Sequence, residues 1–314
     1  METRNLGKSG LRVSSVGLGC NNFGMRIDLE ATRKVIDKAI DLGITLFDTA
    51  DVYGNRGGSE ELMGQVLGER RKSIVLATKF GIPMDDTDAL KGGSRRYIMS
   101  AVEASLKRLK TDWIDLYQLH TTDPLTPIEE TLSALDDLIR QGKVRYVGCS
   151  NLPAWQVVEA HWTARDRGLN GFVSCQDEYS LLVRGIDREL MPAMSAYGIG
   201  LLPYFPLASG LLTGKYKRNA EMPEGARLTV TQRLSDRYMS ERNWAIVEKL
   251  ESFCAERERT MLELAFSWLA SRPNVSSVIA GATKPEQVEQ NVKAADWRLT
   301  QDELAEIDRI TAAE

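Results

Sequence analysis

The sequence predicts a (β/α)8 barrel of the TIM type on three observations. Short apolar runs alternate with longer amphipathic ones from end to end, eight such pairs can be traced, and no Pro-, Gly- or Ser-rich linker divides them. Alternation sustained over about 250 residues builds an all-parallel sheet, because every parallel crossover needs room for a helix. Eight units without a break favour closure, with a doubly wound open sheet as the alternative. Residues 1–314 are therefore read as one barrel domain. With 43% hydrophobic and 27% charged residues and a net charge of -4, the chain has the makings of a large core and none of the bias of a disordered one.

At the N-terminus, NLGKSGLRVSSVG reads as a β-hairpin turning at Ser9-Gly10 and placed to cover the bottom of the barrel. VSSVGLG is the first barrel strand and ITLFD the second; SIVLAT, WIDLYQL, VRYVG, GFVSC, GIGLLPY and SSVIA follow as buried strands. Asp28 caps a helix that runs to Leu42 and stops at Gly43. Ser59, followed by Glu60 and Glu61, starts another, and helices are expected over 94–109, 127–140 with Gly142 beyond, and 153–167 with Gly168 beyond. Two connections, 81–95 and 207–243, are too long for ordinary turns and are expected as binding loops or lids on the C-terminal face, where with the C-terminal tail they would set substrate choice.

Composition removes several classes of function. The near balance of 40 basic against 44 acidic residues speaks against a nucleic-acid partner. Cys20, Cys149, Cys175 and Cys254 are widely spaced without a C-x-x-C, and only two histidines exist, so no metal site and no disulfide framework is expected. Reduced thiols imply a cytoplasmic setting, with Cys20 read as a buried, inert cysteine. METRNLGKSG lacks the apolar core of a signal peptide, and the longest apolar stretch, 199–212, is short and broken by Pro203 and Pro206, so no membrane association is expected. Oligomeric state is left open.

In a parallel barrel the chemistry sits where the strands end. Asp48 follows ITLF, Lys79 follows VLAT, His120 follows DLYQL, Ser150 and Asn151 follow YVGC, Gln176 follows FVSC, Tyr204 follows GLLP and Gly281 follows SVIA; Tyr53 stands five residues past Asp48. Each alone is an ordinary strand terminator. Together, a carboxylate, an ammonium, an imidazole and a phenol on one rim make an acid able to protonate an oxygen. The lysine is expected to lower the tyrosine pKa from near 10, the carboxylate to hold the lysine charged, and the histidine to orient a carbonyl. The electron source is then a nicotinamide, its carboxamide held by Asn151 and Gln176 and its ring stacked on Tyr204. Two tempting motifs fail. GLGCNNFG has the spacing G-x-G-x4-G with no ribose acid, and GLLTGKY lacks the P-loop pattern. His161, alone in mid-helix, is given no role, and the charged run 256–259 is read as a solvated face.

The stretches GLRVSSVGLGCNNFG, FDTADVYGNRGGSEELMG, LATKFG, SLKRLKTDWIDLYQLH, VGCSN, YFPLASGLLTGKY and IAGATKPEQVEQN carry a family pattern over nearly the whole chain. The sequence resembles the aldo-keto reductases, NADPH-dependent carbonyl reductases built on a (β/α)8 barrel. The resemblance implies a catalytic tetrad of Asp48, Tyr53, Lys79 and His120, with Tyr53 as general acid for hydride transfer to an aldehyde or ketone. It also implies cofactor contacts at Ser150, Asn151, Gln176 and Tyr204, and a pyrophosphate loop running from Phe205 through Leu207, Ser209 and Gly210. Adenosine contacts would fall at Gly281, Thr283, Gln287, Gln290 and Asn291. Many members have Lys and Arg where this chain has Gly281 and Gln287. The branch similar to potassium-channel β-subunits has Gly and Gln there and meets the 2′-phosphate with a lysine equivalent to Lys215 and an arginine placed at Arg227. NADPH is thus expected in preference to NADH. Two other functions fit the same residues: an NADPH-binding regulatory or redox-sensing module with little turnover, and a Schiff-base aldolase using Lys79.

Overall fold

The computed structural model describes residues 1–87 and 89–312, so residue 88 of the 81–95 connection and the last two residues of the tail lie outside the described residues. Among the described residues, eight parallel strands form a barrel: β3 (Val16–Gly19), β4 (Leu46–Asp48), β5 (Val75–Phe80), β6 (Ile114–Leu119), β7 (Val144–Ser150), β8 (Ser174–Glu178), β9 (Gly200–Tyr204) and β10 (Val278–Gly281). The sheet order is β10-β3-β4-β5-β6-β7-β8-β9, and a parallel bridge from Leu201 to Val275 closes it. Closure excludes the doubly wound alternative.

The hairpin pairs β1 (Thr3–Asn5) with β2 (Arg12–Ser14) in antiparallel register. Its turn is not the Ser9-Gly10 pair but a six-residue connection closed by Leu6 N–H donating to Leu11 O at 2.8 Å. The wider loop tucks its tip under the barrel. Gly7 is left-handed at φ +58°, and a Cβ there would come within 2.6 Å of two backbone oxygens, those of Val173 and Gly198. The predicted first strand VSSVGLG is likewise divided, since Ser15 breaks it into β2 and β3. Leu6 and Val13 reach the barrel interior and pack with Leu46, Ala77, Leu116, Leu202 and Ile279, all of them buried.

The helices on the outer face are α1 (Leu29–Asp41), α2 (Tyr53–Leu67), α3 (Arg95–Leu109), α4 (Ile128–Arg140), α5 (Ala154–Arg167) and α6 (Leu190–Tyr197). Asp28 caps α1 by accepting the Ala31 N–H at 2.9 Å, and Ser94 caps α3 from Tyr97. Gly43, Gly142 and Gly168 all adopt the positive φ expected of stops. Helix α2 departs from expectation by beginning at Tyr53. Its first turn is kinked by Gly54, Asn55, Arg56 and Gly57, all at positive φ, and the regular part emerges only after them.

Strand β8 starts three residues later than GFVSC suggests and runs on through Gln176. The supposed loop 207–243 is largely structured: a 3-10 turn at Ala208–Thr213, then α7 (Arg227–Val230) and α8 (Gln232–Tyr238), with Ser240 capping α9 (Glu241–Ala255). Helices α10 (Met261–Ala270), α11 (Pro285–Ala294) and α12 (Gln301–Thr311) complete the chain. Among the described residues no helix is long and apolar enough to cross a membrane.

Candidate active site

Period-2 alternation aims the site residues. Leu46, Ala77, Leu116, Leu202 and Ile279 form the apolar floor of the barrel, so the residues two positions on, Asp48, Lys79, Gln118, Tyr204 and Gly281, form the next layer on the same side. Lys79 is wholly buried, and its ammonium donates to Asp48 Oδ2 at 2.7 Å, to Thr49 O at 2.9 Å and to the Tyr53 hydroxyl at 3.5 Å. The other oxygen of Asp48 accepts from Gln176 Nε2 at 2.9 Å and Gln118 Nε2 at 3.2 Å. His120 stands edge-on to the Tyr53 ring, with centroids 5.7 Å apart.

The charges are set by this burial. Burial opposes the positive charge on Lys79, yet the Asp48 carboxylate and the Tyr53 hydroxyl beside it hold its pKa above the ordinary value. Burial and the Lys79 charge push His120 down to about 2, so the imidazole is neutral, and its buried Nδ1 has no hydrogen-bond partner among the described residues. Tyr53 overturns the expected direction. Burial raises its pKa above the usual phenol value, and the opposing pull of Lys79 does not cancel that rise. Cys20 is buried with its pKa well above the ordinary thiol value, first by desolvation and then by Asp48. All four cysteines are buried and free.

Above this floor opens a cavity of about 1290 Å³. Every sequence-predicted site residue lines it except Lys79, which lies beneath; among the described residues, none of the 81–95 connection or of α12 contributes to its wall. Ser150 ends β7, and Asn151 follows at φ +59°. Asn151 Oδ1 accepts from the Tyr204 hydroxyl at 2.8 Å, and its Nδ2 donates to His120 O at 3.1 Å, a strap across three strand ends. The Gln176 amide, expected to be free for a ligand, already commits its Nε2 to Asp48.

After β9 the chain makes a tight belt in which Phe205, Ala208, Ser209 and Gly210 all take positive φ. At Gly210 a Cβ would lie 3.3 Å from the Lys215 side chain. Lys215 follows the belt and Arg227 opens α7. Thr283, Gln287, Gln290 and Asn291 occupy the turn and helix after β10, where Gln287 Oε1 accepts from Thr283 N–H at 2.7 Å.

Among the described residues the cavity wall carries seven basic side chains, including Arg26, Lys215, Arg227 and Lys284, against two carboxylates, Asp48 and Glu263. On a chain of net charge -4 this is a local reversal that favours a polyanionic ligand. A cavity of this volume, with polar strand ends over the Tyr53 floor and with Lys215 and Arg227 paired to no carboxylate among the described residues, fits a nicotinamide dinucleotide. Sequence reasoning missed Gln118 and Arg26. Gln118 was signalled by its place between Leu116 and His120 on one face of β6; Arg26 lies in a β3–α1 turn that the strand-end rule does not reach.

The parallel barrel with a buried Asp-Lys pair under a tyrosine and a histidine at its C-terminal rim defines a barrel oxidoreductase. The chain belongs to the aldo/keto reductase family, whose model matches residues 15–312. It is 40% identical to a probable voltage-gated potassium channel subunit beta of Arabidopsis thaliana, covering 94% of this chain and 92% of that one. It is 38% identical to an uncharacterized oxidoreductase of Bacillus subtilis, covering 97% and 94%. It is 36% identical to L-glyceraldehyde 3-phosphate reductase of Escherichia coli, covering 98% and 92%.

Proposed function

We propose that this chain is an NADPH-dependent reductase of aldehyde and ketone carbonyls, a single cytoplasmic domain with Tyr53 as its general acid. The observation that carries this reading is the Tyr53 hydroxyl 3.5 Å from a fully buried ammonium that Asp48 keeps charged, at the floor of a cation-lined cavity. Burial keeps the proton on Tyr53 until a substrate oxygen arrives to take it. Lys79 then stabilises the phenolate that remains, and Asp48, anchored by Gln118 and Gln176, keeps Lys79 from moving. Neutral His120 can hydrogen-bond the carbonyl without competing for the proton.

NADPH, when bound, supplies the hydride from C4 of its nicotinamide. Ser150, Asn151 and Gln176 would hold the carboxamide, Tyr204 the ring, and the belt from Phe205 through Leu207 to Gly210 the pyrophosphate. Gly281, Thr283, Gln287, Gln290 and Asn291 would hold the adenosine. Lys215 and Arg227, which pair with no carboxylate among the described residues, favour NADPH over NADH by taking the 2′-phosphate. The name of the Escherichia coli relative makes small aldehydes the first substrates to try.

A second reading, a module that binds NADPH with little turnover, is favoured by the likeness to a channel subunit. A Schiff-base role for Lys79 is disfavoured, because an ammonium engaged by Asp48 and Thr49 O with a raised pKa is a poor nucleophile.

The test is NADPH oxidation with a panel of small aldehydes, in wild type and Tyr53→Phe. The variant should lose about 10²–10⁴-fold in kcat, the usual worth of a general acid, with its NADPH affinity unchanged. No turnover above background across the panel would sink the reductase in favour of the binding module. Borohydride trapping of substrate on Lys79 would favour the aldolase.

A further inference from the structure

A second cavity, of about 560 Å³, opens beside the catalytic one, and among the described residues Asn151 alone lines both. It lies between the start of α5 and the turn that follows β8. Strand alternation puts Asp177 in its wall. Gln176 points into the barrel to reach Asp48, so its neighbours Cys175 and Asp177 face outward, toward the helices.

Asp177 is an acid without a counterion. It is 8% exposed; its Oδ2 accepts from the Cys175 thiol at 2.8 Å, and its Oδ1 accepts no hydrogen bond among the described residues. Burial, opposed by that thiol bond and by no cation, pushes its pKa up to about 6. Above that pH it is a buried anion, which is unfavourable until a cation pairs with it. Arg188 and Glu189 stand exposed on the same cavity, and among the described residues neither makes an ion pair, so the guanidinium shares the space with Asp177 without engaging it. Leu152, Pro153, Ile186 and Leu190 supply the apolar part of the wall. Among the described residues no group of three His, Cys, Asp or Glu side chains is placed to hold a metal, which leaves an organic cation. A primary ammonium on a short aliphatic chain suits this wall: its head gives Oδ1 both a donor and a charge, and its methylenes cover the apolar residues.

We propose that this cavity is a binding site, separate from the catalytic one, for a small aliphatic amine held as its ammonium ion by Asp177. Calorimetric titration of the whole chain with n-butylammonium chloride tests it, at about pH 7.5 where Asp177 is ionised, with n-butanol as the uncharged control. The amine should bind saturably with Kd below about 1 mM, and the alcohol should not. Asp177→Asn keeps an oxygen for the Cys175 thiol while removing the charge, and should weaken the amine at least about tenfold. Gly185→Phe attacks the site from the β8–α6 turn. A Cβ at Gly185 meets nothing within 4 Å, so a ring has room to enter the cavity without straining the fold. This variant should abolish binding at an unchanged melting temperature, and it decides the matter if Asp177→Asn does not fold.

The four-carbon diamine separates two forms of the ligand. Tighter binding than the monoamine, lost in Glu189→Gln, gives a second ammonium to Glu189; equal or weaker binding leaves recognition to Asp177, and either supports the site. No saturable binding of either amine up to about 10 mM would overturn the proposal. So would affinity within about twofold of wild type in a folded Asp177→Asn, or in Gly185→Phe where that variant does not fold. Binding seen only in Arg188→Gln would mean that Arg188 closes onto Asp177 in solution, and would overturn it too. These titrations involve neither NADPH nor turnover, so the proposed reductase stands or falls separately.

Discussion

Tyr53 sits beside a lysine and still holds its proton more tightly than a free phenol does. From the sequence, the lysine is the visible influence, and it points to a lowered pKa; the burial that outweighs it is a property of the assembled barrel. The sign matters for the pH profile. In the proposed reaction Tyr53 would donate in its protonated form, so carbonyl reduction would be sustained below its pKa and lost as pH rises through it; because that pKa is raised, the alkaline limb belongs above pH 10. His120, held neutral with a pKa of about 2, contributes no limb near its ordinary 6.5. The rate of the chemical step should therefore be level between about pH 6 and pH 9. An inflection near 6.5 that disappears in His120→Gln would contradict this arrangement. Asp48, Lys79 and His120 were legible because each follows a recognisable apolar run, and Tyr53 because it stands five residues past Asp48. Gln118 was less so, because it lies inside its run and only the facing of β6 reveals it.

At the scale of elements, the start of α2 sets where Tyr53 stands. Four successive residues at positive φ, two of them the non-glycines Asn55 and Arg56, bend the chain between Tyr53 and the regular helix; each non-glycine costs about 1–2 kcal/mol in that region. Tertiary contacts hold the bend. Arg108 of α3 lies against Gly57, where a Cβ would come 2.7 Å from its side chain, and donates to the buried Glu60 at 2.7 Å. Glu60 also accepts from Thr78 of β5 at 2.6 Å, which links the brace to the strand that carries Lys79. One turn on, Gly64 touches α3 so closely that a Cβ would meet Arg108 O at 2.2 Å. Gly64→Ala should destabilise the protein by about 1–3 kcal/mol in urea unfolding, because backbone must move to admit the methyl. A neutral result would mean that α2 and α3 are free to separate. Helix stops such as Gly43, Gly142 and Gly168 could be read from local chemistry. The α2 bend could not, because Ser59 announces the regular helix and the residues before it are held by a partner far along the chain.

Over the whole molecule, the barrel is filled in two layers, an apolar floor sealed from below by Leu6 and Val13 and a polar layer above it that holds Asp48, Lys79 and Gln118. The hairpin is thus part of the core. Leu6→Ala should cost about 2–5 kcal/mol of unfolding free energy and leave kcat/KM within about twofold, since the cavity it opens lies at the end of the barrel away from Tyr53. An equal loss of stability and activity would show that the floor transmits strain to the site. The alternation of apolar runs made the barrel itself legible, and the strand ends made most of the cavity wall so. The meeting of Arg26 with Lys215 and Arg227 was hidden, because closure of the barrel brings together segments that share no local pattern.

That closure is uneven. Every other pair of neighbouring strands shares a run of registered residues, whereas β9 and β10 are joined through the single Leu201–Val275 bridge, with Leu201 N–H donating to Asn274 O and Ser276 N–H to Leu201 O. The excursion that leaves β9 and returns toward β10 carries the belt, Lys215 and Arg227. The barrel's least stitched joint therefore adjoins the segment that carries Lys215 and Arg227. Local breathing there would expose few amides to exchange and would leave Asp48 and Lys79, on strands that do not border the joint, undisturbed.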